Sequence, residues 1–285
     1  MLCCRDQLVA ITFAATLCTT LAPASAAEVG ALSNFNGQWV RAAAHSQWDP
    51  TKPRGLAQEA PLTTEYEALF KANLKSLHEG NLGADPQVYC LPTGMPRMMI
   101  AYEPMEDIVT PETTYIRVDH LNDFRRIYTD GRDWPAQIKP TFDGYSIGKW
   151  VAPDGRSGML EAETRGLKGP RTLDADGLPL HADNRTIVKE RFFLDAKNHD
   201  VLHDEITTID HAYTRPWTVT RDYNREPHPL WPEFLCTEAN NHIPVGGQFY
   251  FRSGDGYLMP AYKDQPPPDL RNFVPSPPRL TSGKH

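Results

Sequence analysis

Three histidines of this sequence lie in loops next to predicted strands, where a side chain can transfer protons. His120 follows Asp119 and His211 follows Asp210 at the ends of predicted strands, and His181 lies in a loop rich in glycine, proline and aspartate. Loops above the mouth of a β-structure often carry function, and imidazole is the side chain best suited to acid/base work near neutral pH. His120, His181 and His211 are therefore candidate catalytic residues, although a solvated loop histidine without a role is the alternative for each.

A second pair of histidines has the spacing of a degenerate zinc motif. His199 and His203 are four residues apart, and Asp200 follows the first of them. Zinc binding by such a pair requires both rings on one face of a helix, whereas the flanking residues predict a β-hairpin. We therefore expect no metal at this place. The sequence also contains no GxSxG, Walker-type or GxGxxG motif, so we expect no cofactor.

Aromatic and charged residues occur together on the predicted strands in the middle of the chain. Arg125 and Arg126 are adjacent, so one of them must point to the inner face of its strand. Inward charges would form a polar network or a binding site, whereas outward charges would form a salt-bridged ladder facing solvent. The candidate ligand-binding residues are Arg126, Tyr128, Tyr145, Trp150, Glu190, Trp217, Arg221 and Tyr223.

Seven short segments predict the strands that would position these side chains. Each is rich in β-branched and aromatic residues, alternates in polarity and is bounded by turn residues such as Asp-Gly. Successive strands without intervening helices should pair antiparallel, and a sheet of this size avoids long edges by closing. We therefore predict a mainly β fold, an antiparallel meander that closes into a barrel. The predicted strands are 113–120, 124–129, 145–150, 159–164, 186–194, 201–210 and 217–223.

The segments that flank the predicted barrel differ from it in character. A single helix begins at a capping box formed by Thr64 and Glu67, continues with apolar residues at helical spacing and ends at Gly80. The other flanking segments are predicted to be irregular, and the C-terminal one is rich in proline. The predicted organisation is a signal peptide over 1–26, an N-terminal extension with the helix over 27–110, a barrel-like domain over 111–259 and a proline-rich tail over 260–285.

The first 26 residues have the features of a cleavable secretory signal. Arg5 precedes the apolar stretch 8–22, and Ala24 and Ala26 are the small residues of a cleavage site. We therefore expect a periplasmic or secreted protein. Its net charge of −7 and its lack of basic runs argue against nucleic acid and anionic membranes as partners. We expect a small organic molecule as its partner.

Two cysteines remain after the predicted signal, Cys90 and Cys236. In an oxidising compartment such a pair is expected to form a disulfide bond. The alternative is a reactive thiol pair, but neither residue lies in a CxxC motif or beside a catalytic Cys-His signature.

Longer motifs resemble a family of secreted, largely uncharacterised bacterial proteins. The resemblance is carried by RRIYTDGR at 125–132 and PTFDGYSIGKW at 140–150, and it extends from CLP at 90–92 to EFLCTEANN at 233–241. It implies no catalytic assignment. Members of the family continue after the Gly-Tyr-Ser-Ile-Gly-x-Trp strand through a short Glu-Gly-Asp turn, whereas this chain has VAPDGRSG at 151–158, which predicts a remodelled hairpin. The strands are also similar to those of calycin-type barrels, which hold small apolar ligands.

Three functions are consistent with these features. The first is an extracytoplasmic protein that binds a small apolar or aromatic organic molecule in a barrel cavity. The second is a cofactor-independent acid/base enzyme, a lyase, isomerase or hydrolase, that acts on such a molecule through His120, His181 or His211. The third is a structural or protein-interaction module, which the proline-rich tail suggests.

Overall fold

A closed barrel of nine β-strands forms the centre of the protein, and it confirms the predicted fold class. The computed structural model describes residues 34–42, 60–81, 83–100, 103–119, 123–151, 158–169, 171–231, 242–252, 257–269 and 271. The barrel strands are β1 (Gly37–Arg41), β2 (Met105–Val109), β3 (Thr113–Val118), β4 (Asp123–Tyr128), β5 (Tyr145–Val151), β6 (Met159–Arg165), β7 (Ile187–Leu194), β8 (Val201–Ile209) and β9 (Trp217–Arg225).

One pair of neighbouring strands is parallel, which the predicted meander lacks. Strands of a simple up-and-down barrel alternate in direction, so nine strands can close only if one pair is parallel. That pair is β4 and β5, where Ile127 lies beside Ser146, and the other eight pairs are antiparallel. A parallel pair needs a crossover connection. Residues 129–144 supply it on the outer face, where the rings of Trp134 and Tyr145 lie 6.1 Å apart.

Two short N-terminal strands complete the barrel. Both β1 and β2 belong to the segment predicted to be an extension, 27–110, yet β1 pairs with β2 on one side and with β9 on the other. Trp39 lies at this closure, with Met105 and Arg225 as its neighbours. The two strands have five residues each, which is too short for alternation alone to identify.

The barrel interior is filled with side chains. Along β9 every second residue is buried, from Trp217 to Tyr223, and the residues between them are exposed. Trp39, Arg125, Arg221 and Phe192 are each at most 2% exposed. A void large enough for water beside these atoms would leave accessible surface on them, so the interior is closely packed around them.

The helix α1 (Thr64–His78) covers one end of the barrel. Thr63 is its N-cap and accepts a hydrogen bond from the backbone N–H of Tyr66 at 3.4 Å, so the N-cap lies one residue before the predicted one at Thr64. Phe70 packs into the core. The backbone N–H of Thr63 also donates to the carbonyl of Ala212, which ties the start of α1 to the loop between β8 and β9. We call this end of the barrel the helix end.

Two short 3-10 helices, Pro86–Tyr89 and Arg97–Ile100, precede β2. All four residues of the second are buried. Its backbone carbonyls hold inward side chains of the barrel, because the Tyr223 hydroxyl donates to Met99 at 2.5 Å and the Arg41 guanidinium donates to Ile100. This segment therefore covers part of the barrel interior.

A small antiparallel sheet follows the barrel in sequence and consists of β10 (His242–Val245), β11 (Gln248–Arg252) and β12 (Leu258–Pro260). Gly246 and Gly247 turn β10 into β11 with φ values of 57° and 79°, a conformation that favours glycine. No helix in the described ranges is long and apolar enough to span a membrane. The predicted signal peptide and most of the predicted tail lie outside the described residues.

Candidate functional site

The register of the barrel strands fixes which predicted binding residues face the interior. Paired residues on neighbouring strands point to the same face of a sheet. Five of the eight face inward and three face outward. The inward residues are Trp150, Glu190, Trp217, Arg221 and Tyr223, and the outward ones are Arg126, Tyr128 and Tyr145.

Arg125 is the inward arginine of β4, and Arg126 is not. Arg125 lies opposite the buried Ile116 and is only 1% exposed. Arg126 is exposed, and its guanidinium carbon lies 4.6 Å from the centre of the Phe124 ring. The prediction that Arg126 lines the interior is therefore wrong. Two adjacent arginines give no sequence signal for the register, and a shift of one residue reverses the assignment.

Tyr128 and Tyr145 lie on the outer face and form a surface for the crossover 129–144. Their ring centroids are 5.1 Å apart, and the Arg132 guanidinium lies 3.8 Å from the Tyr128 ring. These two tyrosines therefore do not line the interior, contrary to the prediction. Alternation along a strand does not reveal that another segment of the chain packs on its outer face, so the sequence pattern could not place these tyrosines outside.

The central interaction inside the barrel is an ion pair between Arg125 and Glu190, whose side chains are 1% and 0% exposed. The pair is bidentate, with Nη1 donating to Oε1 at 2.9 Å and Nη2 donating to Oε2. Arg125 also donates to the hydroxyls of Ser146 at 3.1 Å and Thr164 at 2.8 Å. A buried ion pair is tolerated when geometry is good and the remaining donors are used, and both conditions hold here.

Burial raises the pKa of two further carboxyl groups inside the barrel. Burial raises the pKa of Asp107 to about 8, against the opposing charge of Arg125. Burial and the charges of Glu190 and Asp107 raise the pKa of Asp204 well above its usual value. Neither oxygen of Asp204 has a hydrogen-bond partner in the part of the chain that the structure describes. The interior is therefore a polar network of ionised and neutral groups.

A second cluster of polar groups lies at the helix end, where two predicted catalytic residues meet. His181 and Asp183 come from the loop between β6 and β7, and His211 comes from the loop between β8 and β9. The Asp183 carboxylate lies between the two rings, with Oδ1 at 3.2 Å from Nδ1 of His181 and Oδ2 at 2.5 Å from Nδ1 of His211. The ring centroids are 5.6 Å apart. We call these three residues the His-Asp-His cluster.

When both rings are neutral, the hydrogen bonds of this cluster assign different tautomers to them. Burial raises the pKa of Asp183, but the Arg185 N–H, the His211 ring and the charges of both histidines together lower it below its usual value. The ionised carboxylate only accepts hydrogen bonds, so Nδ1 of His211 carries the proton and Nε2 holds a lone pair. Nδ1 of His181 accepts from the Asp183 backbone N–H at 3.1 Å, so its proton is on Nε2.

A layer of buried hydrogen bonds fixes the two loops beneath the cluster. One oxygen of Asp210 accepts from the backbone N–H of His181 at 2.9 Å, and the other accepts from the Thr186 hydroxyl. Arg171 donates to the same hydroxyl at 2.7 Å and to the His181 carbonyl at 3.3 Å. The sequence did not identify Arg171, Asp183, Thr186 or Asp210 as site residues, although Asp210 adjoins the predicted His211.

Below the cluster, towards the barrel interior, Tyr213 packs against the inward residue Trp217. Tyr213 is 6% exposed, and its ring meets the Trp217 ring edge-on with centroids 5.9 Å apart. Burial, with the charges of Asp210 and Asp174, raises the pKa of Tyr213 well above its usual value. The structure thus places the predicted binding residue Trp217 below the predicted catalytic residues His181 and His211.

Negatively charged side chains surround the cluster. Burial and then the charges of Glu65, Asp210 and Asp183 raise the pKa of Tyr66 in α1. The Tyr66 ring lies 5.4 Å from the His181 ring, so these carboxylates face the same region. Arg171 is the opposing cation, and burial lowers its pKa despite the favourable charges of Asp210 and Asp183.

The remaining predicted residues stand apart from this cluster. His199 lies in the turn between β7 and β8 and His203 lies within β8, which confirms the predicted hairpin at the His199/His203 pair. His120 lies outside the described residues, so its role stays a prediction. Cys236 also lies outside the described residues, so the disulfide bond between Cys90 and Cys236 stays a prediction.

No protein-family model matches the chain, and no curated protein matches it. The resemblance to secreted bacterial proteins therefore stays a prediction from the motifs.

We predict that Arg125→Met destabilises the protein by about 3–5 kcal/mol, because it leaves Glu190 buried without its partner. The double variant Arg125→Met/Glu190→Met should recover most of this loss, since no charge stays buried. Arg126→Met, on the outer face of the same strand, is the matched control and should change stability by less than about 0.5 kcal/mol. Urea unfolding measures all three. Equal losses for the Arg125 and Arg126 variants would contradict the register.

We predict that Asp107→Asn makes the protein more stable at pH 8 than the wild type but not at pH 4. The folded state keeps the Asp107 proton up to about pH 8, whereas the unfolded chain releases it near pH 3.9. Wild-type stability is therefore lost as the pH rises through this window, by up to about 1.4 kcal/mol per pH unit. Asparagine removes this dependence. Urea unfolding across the window, with Glu106→Gln on the opposite face as control, should show it, and parallel pH profiles would contradict it.

We predict that the two rings of the cluster are opposite tautomers in solution. Long-range ¹H–¹⁵N spectra, recorded about two pH units above the ordinary histidine pKa of about 6.5, should show a proton on Nδ1 of His211 and on Nε2 of His181. The ring signals that disappear in His181→Gln and in His211→Gln identify which signals belong to each histidine. Asp183→Asn should reduce the Nδ1–H preference of His211, because the charged acceptor is lost. The same tautomer for both rings would rule out the hydrogen bonds described here.

Proposed function

We propose that this protein is an extracytoplasmic enzyme that transfers protons to and from a small organic molecule at the His-Asp-His cluster. The observation that carries the proposal is the position of Asp183, whose carboxylate accepts from the His211 ring and whose backbone N–H donates to the His181 ring, which assigns opposite tautomers when both rings are neutral. One ring presents a lone pair at Nε2 and the other presents an N–H at Nε2. An acid and a base side by side suit a lyase, an isomerase or a hydrolase.

His211 is the proposed base. Its side chain is 59% exposed, so Nε2 is open to a substrate, while Nδ1 donates to Asp183. When Nε2 takes a proton, the ring becomes a cation, and the adjacent carboxylate stabilises that charge and keeps the ring oriented. The proton therefore leaves the substrate for Nε2 of His211, and Asp183 stays ionised throughout.

His181 is the proposed acid. Its side chain is 34% exposed, and its backbone is fixed by the hydrogen bond from its N–H to Asp210. The Nε2–H can donate a hydrogen bond or a proton to a substrate oxygen or nitrogen. Tyr66 of α1 lies against the His181 ring and provides an aromatic surface beside it. This wall is consistent with a substrate that has an apolar or aromatic part.

The proposed location outside the cytoplasm rests on the signal-like sequence of residues 1–26. The proposal that the molecule is small rests on the fold, since a β-barrel with loops at its mouth is compatible with small-molecule binding.

A second candidate function is binding of a small molecule inside the barrel. It is favoured by Asp204, which is fully buried and whose oxygens have no hydrogen-bond partner among the described residues. A bound molecule with a donor group would satisfy this carboxyl, but it would have to displace side chains that now pack in the interior, where Glu190, Arg221 and Tyr223 also point. Native mass spectrometry of the purified protein tests it, because a co-purified molecule that is lost in Asp204→Leu would support interior binding.

We predict that His211→Gln and Asp183→Asn each lower kcat/KM about 10²- to 10⁴-fold, the usual contribution of a positioned acid/base group. Extracts of small metabolites are incubated with the protein, and compounds that it consumes are identified by mass spectrometry and then assayed singly. His203→Gln is the matched control, since His203 also contacts an aspartate but lies on the outer face of β8, and it should keep kcat/KM within about twofold.

Consumption that is unchanged in His211→Gln would refute the assignment of the base. An absence of consumption by the wild-type protein in every extract would refute the enzymatic proposal and leave the binding function as the better candidate.

A further inference from the structure

The His-Asp-His cluster also has the donor set of a transition-metal site. His181, Asp183 and His211 each offer one ligand atom, and these atoms lie within 4.8 Å of one another. Ligand atoms bound to a tetrahedral Zn²⁺ at about 2.0–2.2 Å lie about 3.3 Å apart. Nδ1 of His181 and Oδ1 of Asp183 already have this spacing, at 3.2 Å. The pair of Asp183 and His211 is closer, at 2.5 Å, because a proton lies between them.

The ligand types select the class of cation. Two imidazole nitrogens with one carboxylate oxygen favour Zn²⁺, Ni²⁺ or Cu²⁺, whereas Mg²⁺ and Ca²⁺ prefer sites made of oxygen alone. The surrounding charge also favours a cation. Carboxylates from α1 and from both loops, Glu65, Asp183 and Asp210, face this region, and they are opposed by Arg171, which donates to the Thr186 hydroxyl beneath the cluster.

The supporting hydrogen bonds hold the ligand loops in place. The His181 backbone N–H donates to Asp210, and Oδ1 of Asp183 accepts from the Arg185 N–H at 3.0 Å. Such outer contacts orient metal ligands and reduce the ordering that binding requires. His211 is exposed, so an ion in the cluster would keep positions open to solvent.

We propose that the cluster binds one divalent transition-metal cation, such as Zn²⁺, through His181, Asp183 and His211. The ion takes the place of the proton on Nδ1 of His211, and that proton is released to solvent. The consequence for catalysis rests on the proposed function: an ion bound at Nδ1 of His211 separates the ring from Asp183, so Zn²⁺ would inhibit proton transfer by the base. Metal binding itself does not depend on that function.

The chain offers a matched control at His203. This ring also contacts two aspartates, with Nδ1 at 2.7 Å from Asp222 and Nε2 at 3.5 Å from Asp195. The carboxylates lie at opposite nitrogens of the ring, so the three groups do not converge on one ion. His203 therefore has similar residue types without the geometry of a site.

The test is isothermal titration of ZnCl₂ into the full-length mature protein, produced without a histidine tag. We expect one Zn²⁺ per chain at the cluster. His181→Gln, His211→Gln and Asp183→Asn should each weaken the affinity by more than about tenfold, whereas His203→Gln should change it by less than about twofold. MgCl₂ should bind at least about a hundredfold more weakly than ZnCl₂. Substitution with Co²⁺ should give the visible absorption of a four- or five-coordinate nitrogen and oxygen site.

Zinc binding that persists unchanged in His181→Gln and His211→Gln would overturn the proposal, and so would a lack of stoichiometric binding by the wild type. Circular dichroism confirms that each variant is folded. Because binding is measured without a substrate, its failure is distinct from failure of the proposed enzyme function. Zn²⁺ that binds at the cluster but leaves turnover unchanged would refute the inhibition and, with it, the role of His211 as the base.

Discussion

The cost of placing ionic groups in a closed barrel is the constraint on which the rest of this structure depends. Arg125 and Glu190 are almost fully removed from solvent, so each needs the other at short range. Their bidentate contact joins β4 to β7 across the barrel, and Ser146 and Thr164 use further donors of the same guanidinium. The pair therefore fixes the register of the central strands, since a shift by one residue would expose Arg125 and bury Arg126.

The odd number of strands has consequences at the surface. Nine strands close only with the parallel pair of β4 and β5, and this pair requires the crossover 129–144. The crossover packs on Tyr128 and Tyr145. These aromatic residues therefore belong to an outer layer and do not line the interior. The interior instead holds polar groups, and burial raises the pKa of both Asp107 and Asp204. Packing and charge thus fill the space that a simple barrel would leave for a ligand.

The same closure brings His181, Asp183 and His211 together at the helix end. The loop before β7 and the loop before β9 begin far apart in sequence but meet above Trp217, and Asp210 fixes the backbone of one loop to the other. Asp183 then lies between His181 and His211, where its carboxylate contacts Nδ1 of His211 and its backbone N–H donates to Nδ1 of His181. The ionic pair lies inside the barrel, whereas the partly exposed groups, to which we assign proton and metal chemistry as proposals, lie at its mouth.

The sequence alone determined the class of elements: alternating β-branched and aromatic segments specified the strands of a closed barrel, and the capping pattern specified α1 to within one residue. It also named His181 and His211, which the structure brings together, and five of its eight candidate binding residues face the interior. Tertiary structure decided between Arg125 and Arg126, recruited β1 and β2 into the barrel, and placed Asp183 between the two histidines. The reason is physical. Periodicity is a local property, whereas register, closure and the meeting of distant loops depend on which buried charges find partners across the whole barrel.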